Sequence, residues 1–105
     1  LGGEHSWANS WSTYDLPQLV EYDLGQARTV TRVDVYTTAD YPIRDFDIVA
    51  FDGAVWTTVR TVTGNTAAQR SFVFAPVRAS RIGIVARRGP DQQFNYARLN
   101  EVEIY

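Results

Sequence analysis

The chain has 105 residues, a net charge of −2, and 45% hydrophobic, 21% charged and 13% aromatic side chains. That composition fits one folded domain over residues 1–105 and excludes a disordered tail. It has no Cys, a single His (His5), and ten basic residues that are all Arg. These counts exclude a disulfide scaffold, a thiol nucleophile, Cys- or multi-His-ligated metal centres and lysine Schiff-base chemistry. The acidic balance argues against a nucleic-acid face, and no run of about 18 apolar residues is present to cross a membrane.

The opening segment, Leu1 to Pro17, lacks a clean strand pattern and reads as an irregular loop carrying His5, Trp7, Trp11 and Tyr14. From there the apolar spacing is almost all period two. Leu19–Leu24 alternates Val20, Tyr22 and Leu24 against Glu21 and Asp23, and Gly25 ends the strand. Thr29–Tyr36 sets Val33 and Val35 against Arg32, Asp34 and Tyr36. Asp45–Phe51 sets Phe46, Ile48 and Ala50 against Asp45, Asp47 and Val49. Asp52-Gly53 is a hairpin turn signal, followed by a strand over Val55–Val62 that puts Trp56 in the core. Asn65, after Gly64, reads as a φ > 0 turn residue. Ser71–Phe74, Arg81–Ala86 and Leu99–Tyr105 complete about seven short strands, which predicts an all-β antiparallel β-sandwich.

Catalysis finds little support in the sequence. A glycosidase needs two carboxylates roughly 5–9 Å apart across a cleft. Asp45 and Asp47 share the solvated face of one strand, and there is no G-x-S-x-G elbow.

Four stretches taken in order resemble one family. LPQLVEYDLGQARTVTRVDVYT, DFDIVAFDGAVWTTVRTVTGN, PVRASRIGIVARR and ARLNEVEIY are similar to successive strand and hairpin motifs of discoidin (coagulation factor 5/8 type C) domains. The likeness spans Trp7 to Tyr105 and is nearest to carbohydrate-binding module family 32. It implies a jelly-roll, galactose-binding-domain-like sandwich, here lacking the family's first strand and its Asp-bearing loop. It also implies a structural calcium held in part by Glu101, although the matching Asp has no counterpart; sugar binding itself requires no cofactor. Gly83 stands where the family often has Arg.

The resemblance further implies a monomeric, non-catalytic lectin-like module of a secreted bacterial enzyme. Its partners would be a polysaccharide or oligosaccharide and a covalently linked hydrolase or lyase domain, with neither nucleic acid nor membrane. The alternative within the same family is adhesion to a protein or phospholipid surface. Sugar recognition calls for an aromatic face against the C–H face of a pyranose and polar forks on its hydroxyls. Such groups sit on loops, because strand faces are committed to the core. The opening loop offers Trp11 and, at its margin, His5. The loop before Asp45 offers Asp40, Tyr41 and Arg44, the last having Asp45 or Asp47 as an alternative partner. The loop before the terminal strand offers Phe94 and then Tyr96, while Arg98 reads as an anchor for that strand.

Overall fold

The computed structural model describes residues 5–13, 16–38 and 41–105, the first of these as backbone only. Tyr14 and Asp40 lie outside the described residues, as do the side chains of His5, Trp7 and Trp11. Among the described residues six strands form: β1 His5–Thr13, β2 Gln18–Thr37, β3 Asp45–Phe51, β4 Trp56–Val62, β5 Gln69–Arg88 and β6 Ala97–Ile104. All pairings are antiparallel, in the order β1-β6-β2-β5-β3-β4.

The sandwich is one sheet folded on itself. β2 and β5 each run 20 residues and pair with one another along most of that length. Their register breaks twice. Asp23 faces Arg81 but Arg28 faces Ala79, so the excess lies on β2; Val30 faces Val77 but Arg32 faces Val73, so there it lies on β5. Such bulges bend both strands. The second half of β2 and the first half of β5 join β6 and β1 in one layer. Their other halves join β3 and β4 in the second.

Two sequence expectations are corrected here. The paired short strands expected on either side of Gly25 and of Pro76 are single bent strands, because bulges absorb the turn signals. Gly25 takes φ 84 within β2, its N–H donating to Asp23 Oδ1 at 2.8 Å. The segment read as an irregular opening is strand β1, paired to β6 from His5↔Ile104 to Thr13↔Ala97. The ladder to β6 is made by backbone N–H and C=O groups, which every non-Pro residue carries whatever its side chain, so a run without clean alternation can still pair.

The core lies between the layers and draws on both. Val33, Val35, Phe72, Leu99, Val102 and Ile104 come from one, and Tyr22, Phe46, Ile48, Ile82 and Ile84 from the other. Phe46 of β3 meets Phe72 of β5 edge-on, with ring centroids 5.8 Å apart, which ties the layers together. These are the alternating residues of the sequence, so the period-two pattern identified the inner faces correctly.

Trp56 departs from its expected core position. It stands on the outer face of edge strand β4, 37% exposed, with its ring 5.1 Å from that of Phe51. The outer face also explains Gly83. A Cβ there would come within 2.7 Å of Leu19 Cδ1, 2.9 Å of Val49 Cγ2 and 3.2 Å of Trp56 Cζ3. The Arg that the family often has at this place would displace that packing.

Candidate functional site at one end of the sandwich

Two loops meet at the end where β2, β5 and β6 change over. The first, between β2 and β3, is held over residues 41–44 by the core and by backbone bonds. Ile43 is fully buried and anchors it in the core. Arg44 N–H donates to Arg88 O at 3.0 Å, and Tyr41 N–H donates to Thr38 O at 2.9 Å. Asn65, 4% exposed, acts as a bracket: its Nδ2 donates to Ile43 O at 2.9 Å and to Ala67 O at 3.0 Å, and its own N–H donates to Arg44 O at 2.9 Å. The sequence reading of Asn65 as a turn residue is thus corrected. Gly64 takes the φ of 65, and the Asn side chain closes the turn from inside.

The second loop, between β5 and β6, folds around a 3-10 turn at Asp91–Gln93. Gly89 N–H donates to Phe94 O at 2.8 Å, and Tyr96 N–H donates to Gln93 O at 2.9 Å. Gly89 is required by close approach. A Cβ there would run into the carbonyl oxygens of Tyr96 and Gln93.

Where the loops face one another they are joined through charge. Asp91 accepts Arg44 Nη1 at 2.8 Å and lies 3.6 Å from Arg88 Nη2. Arg44 therefore pairs with Asp91 and not with Asp45 or Asp47. Those two are otherwise engaged, Asp45 accepting Gly64 N–H at 2.9 Å and Asp47 lying 3.4 Å from Arg87 Nε. The sequence missed this link because Asp91 is remote from Arg44 along the chain.

Arg98 is the organising residue. Its guanidinium carbon lies 4.7 Å from the Tyr41 ring centroid and 4.4 Å from that of Tyr96, a cation–π arrangement engaging one ring from each loop. Nη2 donates to Gln93 Oε1 at 2.5 Å. Nη1 of Arg98 and Nε of Arg44 are buried and find no acceptor among the described residues. Phe94, at the loop tip, is 65% exposed. The structure thus brings together Tyr41, Arg44, Phe94 and Tyr96 of the expected site and adds Arg98, Asp91 and Gln93. Arg98, expected to anchor β6 by hydrogen bonds, instead engages the two loops through Tyr41, Tyr96 and Gln93.

The remaining candidates separate. Trp11 pairs by backbone with Leu99, next to the Ser12↔Arg98 pair, so its backbone reaches the loop end. His5 pairs with Ile104, the opposite end of β6 from Ala97, which removes its backbone from the loop end by most of the strand. The sequence could not anticipate this, because the span His5–Thr13 becomes extended strand. Glu101 sits mid-strand, opposite Ala8 on one side and Tyr36 on the other. Among the described residues no three His, Asp or Glu side chains gather in one place.

A folded-over antiparallel sandwich whose polar and aromatic loops converge at one end defines a galactose-binding-like binding module. The F5/F8 type C family, in its NedA-like, galactose-binding form, matches residues 3–84, and the chain belongs to that family. It is a carbohydrate-binding module by class, with no catalysis of its own. Among solved structures it is similar to the family 32 carbohydrate-binding module of C. perfringens NanJ in complex with galactose (24% identity, TM-score 0.79, covering 92% of this chain and 76% of that one). It is similar also to that of AlyQ in complex with 4,5-unsaturated mannuronic acid (26% identity, TM-score 0.74, 91% and 76%). A third is chitosan-binding module 1 derived from the chitosanase/glucanase of Paenibacillus sp. IK-5 (22% identity, TM-score 0.78, 91% and 75%). No curated protein matches the chain.

Proposed function

We propose that this module binds a glycan at the loop end, stacking a sugar ring on Phe94 and taking its hydroxyls with Arg98, Arg44 and Asp91. One observation carries the reading. An exposed Phe stands on the loop whose Tyr96 ring lies against Arg98, and the Tyr41 ring of the other loop lies against the same guanidinium. An exposed aromatic ring on a polar loop offers a stacking face for a sugar. The contacts that hold residues 41–44 and 89–96 lower the ordering cost of association. Asp40, on the first loop by sequence, and Trp11, whose backbone pairs with Leu99 next to Arg98, complete the proposed surface.

The domain's place is that of a tether. It holds a linked secreted bacterial hydrolase or lyase on its polysaccharide and raises local substrate concentration. The Paenibacillus module, derived from a chitosanase/glucanase, supports that reading. A glycan array probed with the protein and with Phe94→Ala tests it: binding by the parent protein and loss in the variant is the expected result. No binding to any glycan, together with Phe94-dependent sedimentation on anionic liposomes, would instead establish the lipid-adhesion alternative.

A further inference from the structure

A second cleft lies on the open flank of the sandwich, beyond the connection from β4 to β5. There β4 is the edge of one layer and the first half of β5 the edge of the other. Arg60 of β4 stands opposite Ile48, and Arg70 of β5 opposite Val35, both partners buried in the core. Directly opposed residues share a face, so both arginines lie on inward faces and their charged heads emerge in the seam between the layers. Arg60 Nη2 crosses that seam and donates to Val73 O at 2.6 Å. The guanidinium carbons of Arg60 and Arg70 lie 5.9 and 4.7 Å from the centroid of one ring, the buried Phe72. With Thr61, Val62 and Thr63 they line a cleft of about 210 Å³.

Nothing described neutralises this pair. Among the described residues no carboxylate lies within ion-pair distance of Arg60 or Arg70. The acids nearest in register, Asp34 opposite Ser71 and Asp47 opposite Thr61, are already paired with Arg32 and Arg87. Two uncompensated guanidiniums in a chain of net charge −2 form a local positive site. Their planar forks suit the oxygens of a carboxylate or sulfate. The cleft is several times the roughly 30 Å³ that one water takes in the liquid, so it has room for the oxyanion, and it opens to solvent, where the rest of a sugar can lie. Thr61 and Thr63 belong to the lining of the same space.

We propose that the Arg60–Arg70 seam is a second saccharide site, selective for sugars bearing an oxyanion, a uronate carboxylate or a sulfate ester. The two guanidiniums hold the oxyanion. The site uses none of the loop-end residues.

The test is amide chemical-shift titration of the whole chain with trigalacturonate, galactose 6-sulfate, galactose and sodium sulfate. One or both acidic sugars should move the amides of Thr61, Thr63, Arg70 and Phe72, with galactose leaving them still; whichever acts identifies the oxyanion. Arg70→Gln, at an exposed position, should weaken that binding about tenfold and leave the melting temperature within a degree or two. Phe94→Ala should leave it intact, which separates this site from the loop end. The proposal is overturned by unmoved seam amides with both acidic sugars, by an equal response to galactose or sodium sulfate, by unchanged affinity in Arg70→Gln, or by loss of the seam response in Phe94→Ala.

Discussion

Asp91 accepts a hydrogen bond from Arg44 at 2.8 Å across 47 residues of sequence, and this contact joins the two loops into one surface. Asp91 is largely solvent-exposed and Arg44 about a quarter so. A pair of that kind contributes only about 0–1 kcal/mol to stability, so its effect should appear in binding. Asp91→Ala is expected to leave the melting temperature nearly unchanged while weakening glycan affinity severalfold, as isothermal calorimetry would record. A melting-temperature loss of many degrees would show that the pair supports the fold instead.

Phe94 and Tyr41 divide the aromatic contribution. Phe94 makes most of its area available to ligand, so Phe94→Ala should abolish binding with a stability change within roughly 0.5 kcal/mol, the range of ordinary surface substitutions. Tyr41→Ala removes one of the two rings flanking Arg98. Binding should again be lost, with a further stability loss of about 0.5–1 kcal/mol for the missing cation–π contact. Thermal melts beside affinity measurements check both.

Asn65 should behave in the opposite way. Its buried amide satisfies two backbone carbonyls beneath the first loop, and Asn65→Ala leaves them without a donor at about 1–3 kcal/mol. Stability and affinity should fall together, and denaturant unfolding is the direct measurement. Unchanged stability would mean that the loop is held by its backbone bonds alone.

Much of the fold was legible in the sequence because burial on one face of a strand forces period-two spacing. Phe46, Ile48, Val33, Val35, Val102 and Ile104 all point inward as read. What was not legible follows from geometry that spacing does not encode. Gly25 and Pro76 signal chain reversal but sit at bulges where long strands bend between layers. Trp56 carries the signature of a core residue and instead covers Gly83 from outside. At the site, Tyr41, Arg44, Phe94 and Tyr96 could be picked out because aromatics and arginines in polar loops are conspicuous. Arg98 was assigned to its strand, since only the folded structure shows that rings from two loops close over it. His5 was grouped with the loops because the strand that carries it away was not recognised.

Titration of Tyr36 gives a pH prediction. Its hydroxyl donates to Glu103 Oε1 at 2.6 Å, and this bond, with burial and the nearby carboxylates, pushes its pKa up to about 12 from 10.0. A group whose folded pKa is raised stabilises the fold fully below its unfolded pKa, and that stability is lost as pH rises through the folded value. The Tyr36 contribution should therefore be constant below pH 10 and decline between about 10 and 12. The difference in stability between the parent protein and Tyr36→Phe, followed over that interval, should shrink as pH rises; a difference independent of pH would contradict the assignment.

The most direct measurement is an amide chemical-shift titration with a saccharide panel of galactose, N-acetylgalactosamine, chitosan oligomers and uronate oligomers. At least one member should move Tyr41, Arg44, Phe94, Tyr96 and Arg98 as a single group, with saturation at a common dissociation constant. If no saccharide moves them, or if every saccharide that binds perturbs only residues elsewhere, the loop end is not the glycan site.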